Sequence, residues 1–286
     1  MSTTLDRAVL ITGAGGGLGR SHALAFARLG YAVAVNDIAD PSAVVEEITA
    51  AGGRAVGVPG AVDDWDGAQA IVDAAHEQLG RLDVLVNNAG IIRDKSFAKT
   101  TRENIDAVLS VHLKGAFAMT KAAWPLLAAS GAAAVVNTSS GSGLYGNFGQ
   151  ANYSAAKMGL VGLTKTLAAE GARAGIRVNA IAPLARSAMT EDLLPLDLLE
   201  RLAPEWVSPL VAWLADPSCT ESGQVYSCGA GRYARVAVCE GPGVRFDHVP
   251  SLEEIAAAAG DIDRIEGGTQ PSALADQIAL LVPPQA

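Results

Sequence analysis

A chain of 286 residues, half of them hydrophobic, has enough material for one large α/β domain with a substantial core and some additions. No stretch approaches the ~20 uninterrupted apolar residues of a membrane span, and the amino terminus lacks a basic segment followed by a long apolar core, so a cytoplasmic protein is expected. The net charge of -9 without a basic cluster argues against nucleic acid or a membrane surface, and Cys219, Cys228 and Cys239 lack the spacing of a metal site, which leaves a small molecule as the expected partner.

Residues 7–12 (RAVLIT) read as a short buried strand opening onto Gly13-Ala14-Gly15-Gly16-Gly17-Leu18-Gly19, followed by an alanine-rich helix to residue 29. Without β-carbons the backbone can meet a pyrophosphate, and the helix start offers free N–H groups and the positive end of its dipole. A strand before and a helix after make Gly13, Gly15, Gly17, Leu18 and Gly19 a phosphate site rather than a mere tight turn. The second strand, 31–35, ends in Asn36-Asp37. An acid there is placed to accept hydrogen bonds from adenosine ribose hydroxyls, and its charge would repel a 2′-phosphate. Asp37 therefore points to NAD rather than NADP.

The alternation continues with a helix at 41–51, a strand at 54–58, a helix at 64–79 and a strand at 82–86 that ends in Asn87-Asn88-Ala89-Gly90. Residues 101–129 read as one long amphipathic helix bent at Pro125, 132–137 as a buried strand and 151 onward as a helix. Residues 176–182 and 223–227 supply two more strands. This pattern predicts an α/β fold, a Rossmann-type doubly wound parallel sheet of about seven strands with helices on both faces, its ligand crevice beyond the strand carboxyl ends. Gly13 to Gly19, Asp37, Asn87 to Gly90 and Ser140 all fall at those ends. Residues 183–205 suit a lid over the crevice.

Beyond residue 233, 234–239 and 244–246 read as a hairpin, Ser251-Leu252-Glu253-Glu254 as a capping box with Gly260 as the helix stop, and 271–281 as a last helix. The expected division is a dinucleotide-binding catalytic domain over 1–233 and a small C-terminal extension over 234–286. The extension is expected to pack on the same domain or on a neighbouring subunit.

Residues 138–157 (TSSGSGLYGNFGQANYSAAK) leave a strand, pass a glycine-rich bend and enter a helix carrying Tyr153 and Lys157 on one face. A free phenol titrates near 10, so a tyrosine acts as a base near neutrality only when something stabilises its phenolate, as a neighbouring ammonium would. With Ser140 binding the substrate oxygen, the three form an acid/base centre.

Thr12-Gly13-(three residues)-Gly17-Leu18-Gly19, Asn87-Asn88-Ala89-Gly90, Ser140 thirteen before Tyr153 and Lys157 four after it resemble the short-chain dehydrogenase/reductase superfamily, over residues 7–233. Val35-Asn36-Asp37, the run Gly146 to Lys157, Ile181-Ala182-Pro183 and Met189-Thr190 are similar to its subgroup of (3R)-hydroxyacyl-CoA dehydrogenases, the dehydrogenase part of peroxisomal multifunctional enzyme type 2. The resemblance implies that Tyr153 is the general base in alcohol oxidation and that Lys157 holds the nicotinamide ribose and lowers the tyrosine pKa. Ser140 would orient the substrate oxygen. Asn88, Ala89 and Gly90 would line the adenosine side, and the backbone after Pro183 would meet the nicotinamide. It further implies a homodimer or homotetramer and an acyl-CoA substrate. A steroid or other alcohol, a 3-oxoacyl thioester, and a non-catalytic dinucleotide-binding scaffold are the rival functions. Three departures stand out: His112 where the superfamily carries a catalytic Asn, Ala61-Val62 where an Asp-Val pair meets adenine, and Leu184 after Pro183. The first makes His112 a further catalytic candidate. The last bears on nicotinamide contacts through Ser187 or Thr190, and Arg93, Lys95 and Arg186 are candidate partners for CoA phosphates.

Overall fold

Short runs of small and β-branched residues form a single eight-stranded sheet in the computed structural model, which describes residues 7–185 and 201–282. The strands are β1 (Ala8–Ile11), β2 (Ala32–Asp37), β3 (Arg54–Pro59), β4 (Val84–Asn87), β5 (Ala133–Thr138), β6 (Ile176–Pro183), β7 (Val225–Gly229) and β8 (Arg232–Val236), in the order β3-β2-β1-β4-β5-β6-β7-β8. All pairings from β3 through β7 are parallel. Successive side chains of a strand point to opposite faces. Val9, Ile11, Val33, Val35, Val84 and Val86 accordingly pack into one apolar layer, while Ala8, Leu10, Ala34 and Leu85 pack into the other.

Helices cover both faces. The first layer takes Ala23 and Phe26 of α1 (Gly17–Arg28), Val44 and Ile48 of α2 (Ser42–Ala50), and Leu210, Val211 and Leu214 of a helix over Ser208–Ala215. The second takes α3 (Trp65–Leu79) and a helix over Gly115–Ser130, through residues such as Ile71, Val72, Met119 and Leu127. Full burial of each large aliphatic side chain contributes roughly 1.5–3 kcal/mol. In chain order the remaining helices are α4 (Arg102–Leu109), α5 (Gly115–Ser130), α6 (Gly141–Tyr145), α7 (Ala151–Gly171) and α8 (Ser208–Ala215). A polar clasp reinforces one contact: Ser21 Oγ and His22 Nδ1 of α1 each lie 2.8 Å from Ser208 Oγ, where α8 begins.

The long helix expected over 101–129 is divided. Residues Ser110–Lys114 form a wider π turn between α4 and α5, and the departure from α geometry falls there rather than at Pro125, which lies inside α5. Such turns are frequent where a side chain serves a site, and here the wide turn carries the buried His112. The edge of the sheet also departs from expectation. Ala230 (φ 50°) and Gly231 (φ 79°) both adopt left-handed backbone, which gives the two-residue turn whose twist suits a hairpin. Residues 232–236 therefore return beside β7 as β8, and a connection this short makes the pair antiparallel.

The chain divides into two compact units between Arg235 and Val236. In the second unit the hairpin expected over 234–239 and 244–246 does not form. Residues 234–236 are consumed by β8, Pro242 has no N–H to give a ladder, and the unit's bridge joins Glu240 to Thr269. The capping box forms as expected: Ser251 Oγ accepts from Glu254 N at the start of α9 (Leu252–Ala257). Gly260 lies inside the short α10 (Ala259–Ile262) instead of ending a helix, and α11 covers Leu274–Leu281. No helix among the described residues is long and apolar enough to cross a membrane. Most of the lid expected over 183–205, with Arg186, Ser187, Met189 and Thr190, lies outside the described residues.

Candidate active site

In an open parallel sheet the ligand crevice lies where the strand order reverses. Between β1 and β4 the chain has a cleft of about 560 Å³ at the strand carboxyl ends. Gly13, Leu18, Asp37, Asn88, Ala89, Gly90, His112, Tyr153, Lys157 and Pro183 line it. Gly15, Gly17, Gly19 and Ser140 do not belong to that lining.

At one end the glycine turn runs into α1. The residue before it, Gly16, supplies no side-chain cap, so the first backbone N–H groups of the helix are left for a ligand. Close approach explains Gly13 and Gly19. A β-carbon on Gly13 would sit 2.7 Å from Ala89 Cα, and one on Gly19 would sit 2.2 Å from Gly13 O. Asn88 braces the same turn, its Nδ2 donating to Thr12 O (2.9 Å) and Gly13 O (3.0 Å). Thr12 Oγ1 in turn accepts from the Asn88 and Ala89 amides, 3.0 Å each. Asp37 is fixed by the amides of Gly15 (2.9 Å) and Ala39 (3.1 Å). This bare glycine cradle, with a helix start behind it and a carboxylate beside it, fits a dinucleotide.

The other end holds the polar centre. Ser140 follows β5 and caps α6, its Oγ accepting from Ser142 N at 3.2 Å. Its hydroxyl also acts on the Tyr153 phenol, drawing the phenol's pKa down. Lys157 is buried, with its Nζ donating to Thr138 O at 2.5 Å and lying 5.5 Å from the centroid of the Tyr153 ring. Burial pushes its pKa down to about 7. Burial also raises the Tyr153 phenol above its ordinary value. The Ser140 hydroxyl pulls it back and the Asp94 carboxylate pushes it further up. The lowering expected from Lys157 is not found. The ammonium group is turned toward Thr138 O and over the ring face, and desolvation is the largest influence on the phenol.

His112 stands edge-on to Tyr153, ring centroids 5.2 Å apart. Its Nε2 lies 3.0 Å from Ile91 N and 2.7 Å from Ile91 O, so one tautomer accepts from that amide and the other donates to the carbonyl. Desolvation, with Lys157 nearby, pushes its pKa down to about 3, so the ring is neutral at pH 7. Gly90 makes room for it, since a β-carbon there would meet His112 Cε1 at 2.3 Å.

Several supports were not visible in the sequence. Asn87 Nδ2 donates to Thr120 Oγ1 (3.0 Å) and Asn137 Oδ1 (2.8 Å), and Asn137 Nδ2 donates to Thr164 Oγ1 (2.9 Å). This buried chain joins β4, β5, α5 and α7. Asn152 Nδ2 reaches Arg93 O (3.3 Å) and Asn104 O (3.2 Å). Polar residues ending the apolar runs of β4 and β5 were the available signal.

The family model for short chain dehydrogenases matches residues 7–194. A short-chain type dehydrogenase/reductase of Mycobacterium tuberculosis is 45% identical over 273 residues, covering 92% of this chain and 96% of that protein. Peroxisomal multifunctional enzyme type 2 of Mus musculus is 49% identical over 236 residues, 79% of this chain but 32% of the mouse protein. A second Mycobacterium tuberculosis relative, named as a hydroxyacyl-CoA dehydrogenase, is 40% identical over 276 residues, 89% of this chain and 83% of that protein. The structure of full-length peroxisomal multifunctional enzyme type 2 from Drosophila melanogaster superposes with a TM-score of 0.84 at 37% identity, covering 96% of this chain and 48% of that one. The chain thus spans nearly all of one relative and between about a quarter and two thirds of the multifunctional ones. By its matched family model, its relatives and its sheet, the protein is an oxidoreductase of the short-chain dehydrogenase/reductase family, whose fold binds a nicotinamide dinucleotide.

Proposed function

We propose that the protein is an NAD-dependent dehydrogenase of 3-hydroxyacyl-CoA thioesters, with fatty or sterol side chains as the acyl part. The observation that carries the reaction class is the meeting of Tyr153 and Lys157 in the lining of the cleft, with Ser140 acting on the phenol. The name borne by one relative, hydroxyacyl-CoA dehydrogenase, supports the substrate class. The choice of NAD is supported by Asp37, whose carboxylate is anchored where the adenosine ribose of a bound dinucleotide would lie. In this reading residues 1–233 carry the chemistry, 234–286 are an appended extension, and the protein works in the cytoplasm as a homodimer or homotetramer.

When bound, the nicotinamide supplies the redox exchange at the carbinol carbon. Tyr153 takes the carbinol proton in oxidation and returns it in reduction, and Ser140 holds the substrate oxygen beside the phenol. Because burial keeps the phenol protonated at neutral pH, the resting side chain is already the acid that ketone reduction needs. In the opposite direction the phenol has to give its own proton to solvent before it can take the carbinol proton, so oxidation is expected to gain as pH rises. Neutral His112 takes the place of the family Asn, holding Ile91 and closing the floor under the phenol.

The test is turnover of purified protein, with NAD or NADP, on a panel of 3-hydroxyacyl-CoA esters and hydroxysteroids, followed by absorbance of the reduced cofactor. The expected result is oxidation of hydroxyacyl-CoA esters with NAD preferred. Turnover confined to hydroxysteroids overturns the substrate, and a preference for NADP overturns the reading of Asp37.

A further inference from the structure

In the second unit one imidazole is held between two carboxylates. His248 Nδ1 lies 2.8 Å from Asp247 Oδ1, and His248 Nε2 lies 3.1 Å from Glu254 Oε1. An ionised carboxylate only accepts hydrogen bonds, and a neutral imidazole has a single N–H, so the neutral ring serves one of these partners and turns a lone pair onto the other. The imidazolium, with two donors, serves both. The arrangement is therefore that of the charged ring. Glu254 also belongs to the start of α9: its Oε2 accepts from Ser251 N at 2.8 Å, and its own amide donates to Ser251 Oγ at 3.2 Å. One oxygen thus completes the capping box while the other meets His248. The ring in this way links Asp247, before Pro250, to the first turn of the helix after it.

We infer that His248 is a pH-operated clasp: charged, it ties residues 247–251 to the start of α9, and on losing its proton as pH rises it lets them go. The surroundings leave this task to His248 alone. Phe246 meets the ring edge-on with centroids 6.1 Å apart, and the first turn of α9 adds another acid, Glu253. The only Lys or Arg residues of 236–286 are Arg245, which donates to Leu280 O (2.7 Å) and Leu281 O (2.8 Å), and Arg264, which pairs with Asp261 at 3.4 Å. The Asp247 and Glu254 bonds raise the His248 pKa above its ordinary value, and the Ser251 amide and the His248 ring hold that of Glu254 down. A raised folded value means that the clasp is fully closed below the unfolded histidine's ~6.5 and is lost as pH climbs through the folded value. All three groups are exposed, so what opens is this segment and not the fold as a whole.

Hydrogen exchange of the full-length protein, read by mass spectrometry over peptides covering 246–257 and corrected for the intrinsic exchange rate at each pH, tests this. Between pH 6 and 8 the protection of this stretch is expected to fall at least about threefold in wild type and to change by less than about 1.5-fold in His248→Gln, which has no proton to lose. His248→Lys, charged throughout that range, should also hold its protection to within about 1.5-fold. A second measurement follows the ring itself by histidine carbon–proton NMR, its signal assigned by its loss in His248→Gln. The ring should titrate above the ordinary histidine value in wild type and move back toward it in Glu254→Gln, a change that keeps an oxygen for the capping box and removes the charge. Wild-type protection that does not depend on pH, an equal fall in wild type and His248→Gln, or a ring that titrates at the same pH with and without the Glu254 charge overturns the inference.

Discussion

Tyr153 sits on the first turn of α7 with the His112 ring edge-on to it, Lys157 over its face and Ser140 drawing down the pKa of its phenol. Replacing it with Phe keeps the ring packing and deletes the proton carrier. Tyr153→Phe is expected to lose about 10²–10⁴-fold in kcat, while calorimetric titration finds dinucleotide affinity within about twofold of wild type. At the far end of the cleft, Asp37→Ala removes the charge held by the Gly15 and Ala39 amides. The ratio of NADP to NAD affinity should rise about tenfold or more, read by fluorescence titration of the two reduced cofactors. Both positions were legible in the sequence because their chemistry depends on spacing along a single helix or at a single strand end. What Lys157 does electrostatically was not legible. Its pKa depends on burial, and its Nζ is held by Thr138 O, which lies nineteen residues away in sequence.

The glycine turn and α1 separate close approach from mere flexibility. Gly19→Ala would drive a β-carbon to 2.2 Å from Gly13 O and 2.8 Å from Ala14 Cα. Relieving that overlap is expected to cost about 1–3 kcal/mol in denaturant unfolding and at least about tenfold in dinucleotide binding, a loss of 1.4 kcal/mol or more. Gly16→Ala is the matched control. Nothing lies within 4 Å of its added carbon and its backbone is extended at φ −166°, so stability should stay within about ±0.5 kcal/mol. The sequence exposed the glycine pattern but not which members are indispensable, since that depends on Ala89 and Asn88 arriving from β4. Most strands and helices were legible from periodicity to within a residue or two. The π turn at Ser110–Lys114 was not, because its apolar residues still repeat at helical spacing while the hydrogen-bond pattern shifts beneath them. β8 was missed for a different reason: the turn before it is set by left-handed backbone at Ala230, a residue that seldom adopts it.

For the whole molecule, two neutral histidines are enclosed by the fold. His22, between α1 and α8, and His112 both have pKa values lowered from 6.5 to about 3 by burial. Their folded values lie below the unfolded one, so the stability they permit is fully present above pH ~6.5 and is lost as pH falls toward 3. Each contributes a slope of about 1.4 kcal/mol per pH unit in that window. His22→Gln should therefore flatten the acid limb of a stability–pH curve by about that amount between pH 6 and 4, measured by urea denaturation. The alternation of strands and helices made the doubly wound architecture readable without coordinates, whereas the burial of His22 depended on Ser208 meeting it from 186 residues away. The amide chain from Asn87 through Asn137 to Thr164, with Thr120 at its side, joins two strands to two helices. Its members are indivisible in a way that oily side chains are not. Exchanging any one for a hydrocarbon strands its neighbour in a dry interior, so random recombination of these four positions should recover only intact sets or wholesale replacements.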